Sequence, residues 1–174
     1  MSMELISMEH WDVFFDTEEE LKRAKRQQLE SVMDTLPWIA AIDKFQHWIY
    51  LNPNHSIEDR YQSWQTIMND FGSQIINYNG LENNLKRRWQ VQLHLYEVPF
   101  YYIEYGFAQL GAIAVWRNYK TNAKIAVEQY KAALALGYTK TIPQIYETAG
   151  IKFDFSPDYI KELMAFVKQE YQNI

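Results

Sequence analysis

His94 and the three phenols that follow it, Tyr101, Tyr102 and Tyr105, are the side chains of this sequence best suited to chemistry. They lie in the run W-Q-V-Q-L-H-L-Y-E-V-P-F-Y-Y-I-E-Y-G-F-A-Q-L-G-A-I-A-V-W, from Trp89 to Trp116, with Pro99 between imidazole and phenols. Imidazole N–H and phenol O–H groups at the entrance to a helix can donate hydrogen bonds to an oxygen that gains negative charge. A phenol of pKa about 10 keeps its proton at neutral pH. A helix from Phe100 to Tyr119 puts Tyr101 and Tyr105 one turn apart, and Tyr102 and Tyr105 nearly so, so two phenols share a face. Gly106, Ala108, Gly111, Ala112 and Ala114 then leave room for another helix to come close. The same rings would serve as core aromatics whose hydroxyls reach water or backbone, and composition alone favours that use.

Other chemistries find less support. Zinc hydrolases of the H-E-x-x-H type need two histidines one helical turn apart and a glutamate between them. The histidines here are His10, His47, His55 and His94, and no two are so spaced. His10 beside Glu9 is the nearest thing to a ligand, yet a lone histidine on an aromatic-rich helix reads as a packed or surface residue. No self-contained metal site follows. Cysteine is absent, no serine sits in a Gly-x-Ser-x-Gly elbow, and no glycine-rich phosphate cradle is present.

The elements that must position these groups read as helices. Met1 to Phe15 can form one, starting without a capping residue ahead of it, as a chain cut from a longer one would. Thr17 and Glu20 form a capping box with Glu18 and Glu19 at the positive end of the helix dipole, and Lys22, Arg23, Lys25 and Arg26 follow as a solvated face. Pro37 is expected to begin a helix carrying Ile42, Phe45 and Ile49, ended by Asn52-Pro53-Asn54. Ser56 caps a helix with the stripe Ile57, Tyr61, Trp64, Met68 and Phe71. Gly72 to Gly80 reads as an irregular connection. One helix is expected from Glu82 to near Pro99, and another from Phe100 past Trp116. Asn122 caps a helix with Ile125, Tyr130, Ala133 and Leu134 inside, ended by Gly137. Its segment A-V-E-Q-Y-K-A-A-L-A-L-G looks like half of a tetratricopeptide-type hairpin, without a second copy. Thr141 and Pro143 open a short helix, and Ser156-Pro157 starts the last one, with Ile160, Leu163, Met164, Val167 and Tyr171 on one side. The expectation is an all-α fold of about eight helices in a single domain over residues 1–174.

Composition bounds the function. With 174 residues, 48% of them hydrophobic and 16% aromatic, the chain has enough apolar surface for one folded core. The ring content, 6 Trp, 13 Tyr and 9 Phe, also suits an interface, and self-association through exposed aromatic surface is one expectation. A net charge of −5 gives no support for nucleic-acid binding. No apolar run approaches the roughly 20 residues of a membrane helix, and acidic residues near the N-terminus argue against a signal peptide. With no cysteine to oxidise, a cytoplasmic location is expected.

H-L-Y-E-V-P-F-Y-Y-I-E-Y-G-F-A-Q-L-G-A, from His94 to Ala112, closely resembles the C-terminal catalytic segment of the oligoendopeptidase F branch of the thimet-oligopeptidase family of zinc peptidases. D-K-F-Q-H-W-I-Y-L-N-P-N-H-S, from Asp43 to Ser56, and M-E-L-I-S-M-E-H-W-D-V-F-F, from Met3 to Phe15, are also similar to that family. The resemblance implies the C-terminal, helical part of a zincin-type catalytic domain that hydrolyses short peptides. It implies that His94 and Tyr105 bind the substrate and its tetrahedral oxyanion, with Tyr101 and Tyr102 sharing the remaining phenol role. It makes Glu4 the carboxylate that follows the third zinc ligand in the same helix, orienting ligands without touching metal. The family's zinc motif, general-base glutamate and third ligand are missing from this sequence. Zinc is therefore the cofactor of the intact family and is not expected on this chain alone, which is expected to be inactive as an isolated polypeptide. A shortened frame, a fragment and a repurposed remnant would all read this way. The alternative is a stand-alone helical module that binds peptides or proteins through its Trp and Tyr surface.

Overall fold

A computed structural model describes residues 1–174 as nine α-helices and two 3₁₀ segments, with no strand. In order, the helices are α1 (Ser2–Ser7), α2 (Glu18–Leu51), α3 (Ile57–Phe71), α4 (Glu82–Leu85), α5 (His94–Glu97), α6 (Ile103–Thr121), α7 (Ala123–Leu136), α8 (Ile142–Thr148) and α9 (Pro157–Gln172). The 3₁₀ segments are Met8–Phe14 and Arg88–Val91. The all-α expectation is met. No helix is long and apolar enough to cross a membrane. The chain divides into two compact units, one of Met1–Met33 with Phe107–Ile174 and one of Asp34–Gly106.

The unit of Asp34–Gly106 carries His94, Tyr101, Tyr102 and Tyr105. Its core is Ala41, Ile42 and Phe45 of α2, Trp64, Ile67 and Met68 of α3, and Trp89. Trp64 sits edge-on to both Phe45, at 5.2 Å, and Trp38, at 5.6 Å. The expected stripe of α3 holds except at its first member, since Ile57 is exposed. Ser56 and Asp59 cap that helix reciprocally: the Asp59 amide donates to the serine hydroxyl at 3.1 Å, and the Ser56 amide to the Asp59 carboxylate at 2.9 Å. The amide and hydroxyl of Ser56 hold the Asp59 carboxyl below its usual range. A depressed folded pKa contributes stability that is complete above the unfolded value, about 4, and is lost as pH falls through the lower folded value. Asp59→Asn is therefore expected to remove part of the acid sensitivity of thermal unfolding. Circular-dichroism melting of both proteins from neutral pH down through that range would check it; parallel curves would be the contrary result.

Three expectations about helix bounds in this unit are corrected. Pro37 lies inside α2 and does not start a helix. Its missing N–H and ring cost a helix interior about 3 kcal/mol, but the buried side chains Ile39, Ile42 and Phe45 that follow tie the next turns to the core. The single helix expected from Glu82 is instead α4, a 3₁₀ turn and α5. Two indoles account for the break: Trp64 Nε1 donates to the Leu85 carbonyl at 2.9 Å and Trp89 Nε1 to that of Lys86 at 3.2 Å. Those carbonyls would otherwise accept from residues four further along. Lastly, the helix expected from Phe100 starts at Ile103, because Phe100 has φ +59°. A left-handed backbone costs a non-glycine residue about 1–2 kcal/mol. Here the Phe100 amide donates to the buried Gln46 Oε1 at 2.9 Å, and its ring lies 4.8 Å from His47 and 5.0 Å from Tyr50.

In the other unit, the small residues of α6 act as expected. A Cβ on Gly111 would stand 2.9 Å from the Tyr146 hydroxyl of α8, which donates to the Phe107 carbonyl at 3.0 Å. α7 and α8 pack as a hairpin. The buried side of α7 is Ala126 and Ala133, while Ile125 and Leu134, expected inside, are exposed. The stripe of α9 holds, with Leu163 and Val167 fully buried. Lys120 bridges Glu9 and Glu170 at 3.0 Å each. The expected helix over Met1 to Phe15 is α1 running into a 3₁₀ segment.

Candidate active-site cluster

His94 opens α5, Tyr101 and Tyr102 lie on the turn after Pro99, and Tyr105 is in the first turn of α6. The left-handed Phe100 reverses the chain between them, so phenols and imidazole meet. His94 Nε2 is 3.3 Å from the Tyr105 hydroxyl, with the rings edge-on at 5.5 Å. Tyr102 lies 4.9 Å from the His94 ring and 5.4 Å from that of Tyr105. Tyr101 is stacked nearly parallel to His94 at 6.3 Å and edge-on to Tyr105 at 5.8 Å. The cluster is not sealed: Tyr101 is 50% exposed, and His94, Tyr102 and Tyr105 are half-buried.

Burial pushes the Tyr102 hydroxyl above the usual phenol range, the neighbouring Trp38 indole N–H opposes this, and the Tyr105 hydroxyl adds to it. Tyr102 thus stays a protonated donor at neutral pH. Phenol O–H groups and an imidazole N–H converging from one side can stabilise an oxygen taking on negative charge.

Two neighbours had no signal in the sequence. Gln92 Nε2 lies 2.7 Å from His94 Nδ1, and Trp38 Nε1 donates to Gln92 Oε1 at 3.0 Å. Trp38 comes from α2, 54 residues before its partner, beyond the reach of any local pattern. Glu4 lies in the unit of Met1–Met33 and Phe107–Ile174. Its carboxylate is exposed and pairs with the Met1 amino group at 2.8 Å. His10 is exposed. His47 and His55 line an open groove of about 970 Å³ with Lys44, Trp48 and Asp59, which does not include His94 or the three tyrosines.

Zinc does not fit the residues present. No three of the His, Asp and Glu side chains come together closely enough to hold a metal ion.

The model of Peptidase family M3 matches residues 1–165. The chain belongs to that family. Among solved structures, it is similar to a protein provisionally assigned as oligoendopeptidase F, with 25% identity and a TM-score of 0.85 over 99% of this chain and 30% of that one. PZ peptidase A, solved with an inhibitor, gives 26%, 0.86, 99% and 30%. A protein of Bacillus anthracis str. Ames, also provisionally assigned as oligoendopeptidase F, gives 25%, 0.75, 99% and 27%. No curated protein matches. This family M3 chain thus spans about a third or less of the length of these solved relatives.

Proposed function

We propose that these residues form the substrate-contacting, oxyanion-binding part of a peptidase catalytic domain acting on short peptides. The observation that supports this most is the 3.3 Å approach of His94 Nε2 to the Tyr105 hydroxyl, flanked by Tyr101 and Tyr102, in a chain that belongs to family M3. A peptide carbonyl becomes tetrahedral when attacked, and its oxygen gains charge. Tyr105 and one of Tyr101 and Tyr102 donate to that oxygen, and His94 orients Tyr105 and the substrate. Such donors raise the rate because they bind the charged oxygen more strongly than the carbonyl. Glu4 enters by resemblance alone, as a carboxylate that orients other groups. The H-E-x-x-H that would hold zinc and activate the attacking water is missing from this sequence, so the 174-residue polypeptide by itself is expected not to cleave peptides.

The test is a chimera in which these residues replace the matching segment of a full-length oligoendopeptidase F. Hydrolysis of a short fluorogenic peptide within about tenfold of the parent's kcat/KM is expected, a difference of no more than about 1.4 kcal/mol in transition-state stabilisation. A folded, metal-loaded chimera with no turnover would count against the assignment. Tyr50, Tyr96, Phe100 and Tyr101 are exposed, which favours a second reading, protein or peptide binding through this aromatic surface.

A further inference from the structure

Behind the His94–Tyr105 pair, the hydrogen bonds of Trp38 and Gln92 run in one direction. An indole N–H can only donate. Trp38 Nε1 does so to Gln92 Oε1 at 3.0 Å, which settles the two ends of the Gln92 carboxamide. The amide nitrogen then faces His94 Nδ1 at 2.7 Å. A carboxamide NH₂ also only donates, so Nδ1 must accept through its lone pair. A neutral imidazole has a single ring proton, and it is left for Nε2. Nε2 is 3.3 Å from the Tyr105 oxygen and donates to it. Having accepted, Tyr105 keeps its own O–H for a partner outside the chain of bonds.

We propose that Trp38 and Gln92 are positioning residues of a one-way relay, Trp38 to Gln92 to His94 to Tyr105, that fixes the Nε2–H tautomer of His94 and turns the phenolic proton of Tyr105 toward the substrate. The opposite tautomer would set an Nδ1–H against the amide N–H, two donors face to face, in a half-buried place where water competes little. Trp38 also neighbours the Tyr102 hydroxyl, but as a donor only it imposes the same orientation on Gln92. Each bond in such a chain polarises the next, which makes the last proton a better donor. The relay rests on the reading of His94 and Tyr105 as substrate-facing groups, though the tautomer itself can be measured without turnover.

Long-range ¹H–¹⁵N correlation spectra of the labelled 174-residue chain, recorded where imidazoles are neutral (pH about 8 or above) and assigned against His94→Gln, report the tautomer directly. The wild-type chain should show a protonated Nε2 and a pyridine-type Nδ1. Trp38→Phe, which keeps a ring beside Trp64 but frees the amide to turn over, should give a mixture of tautomers. Gln92→Glu offers an acceptor to Nδ1 and should move the proton there. In the chimera, Gln92→Glu should lower kcat tenfold or more with KM little altered. A dominant Nδ1–H in the wild-type chain overturns the relay, and so does a tautomer unmoved in both variants. Should Gln92→Glu fail to fold, the wild-type and Trp38→Phe spectra still decide. A relay tautomer in a chimera indifferent to Tyr105 would sink the functional reading alone; the wrong tautomer in a chimera that needs Tyr105 would sink the relay alone.

Discussion

Tyr105→Phe in the chimera is expected to lower kcat by about 10²- to 10³-fold and to leave KM within about threefold. The substitution is conservative in shape. The phenyl ring keeps its place, edge-on to His94 at 5.5 Å and to Tyr101 at 5.8 Å, and tilted to Tyr102 at 5.4 Å. Only the hydroxyl goes, and with it the acceptor for His94 and the donor for the oxyanion. A ground-state carbonyl asks little of that donor, so peptide affinity should barely change. The tetrahedral oxygen asks much more, and a missing donor at that moment is worth about 2.7–4 kcal/mol. Initial rates across substrate concentration separate the two parameters. An unchanged kcat would mean that the hydroxyl does not reach the reacting oxygen. A raised KM with normal kcat would assign it to ground-state binding instead.

What the sequence disclosed and what it hid follow from the range of the interactions involved. Stripes at helical spacing gave α3 and α9, because Trp64, Met68, Leu163 and Val167 are buried by the helix face they share. Caps at Thr17, Ser56, Asn122 and Ser156 were readable because each donor and acceptor lies within three residues of its partner. His94 and the phenols could be singled out by type and spacing, and the family by the string that holds them. The breaks in the Glu82–Val98 stretch were not readable. They depend on Trp64 reaching Leu85, 21 residues away, to take a carbonyl from the helix ladder. The left-handed turn at Phe100 is held by Gln46, 54 residues upstream, and nothing near Phe100 announces it. Pro37 misled for the same reason: its local penalty was visible and the burial of Ile39, Ile42 and Phe45 that outweighs it was not. Ile125 and Leu134 lay outside because alanine, which carries no strong hydrophobic signal, makes the tight face of α7.

Trp64→Ala is expected to destabilise the protein by about 3–5 kcal/mol, the range for emptying a buried tryptophan site. Trp64 has no exposed surface, and its neighbours are themselves rigid rings: Phe45 at 5.2 Å and Trp38 at 5.6 Å. Rings fixed in this way cannot collapse into the space, so most of the cavity should persist. The loss also leaves the Leu85 carbonyl without the indole that meets it at 2.9 Å, and an unpaired, partly buried acceptor adds about 1 kcal/mol or more. Trp64→Phe separates the two effects, since it keeps much of the packing and removes only the N–H. It should cost roughly a third as much, on the scale of one hydrogen bond and a small void. Urea unfolding followed by tryptophan fluorescence and by circular dichroism gives both differences, and agreement of the two probes tests two-state behaviour. The consequence extends to the cluster. Trp38 is seated against Trp64, and through Gln92 it sets how His94 is held. A Trp64→Ala protein that loses less than about 1 kcal/mol would show that this aromatic core closes over the gap. It would then be too soft a platform to hold the imidazole and the phenol in register.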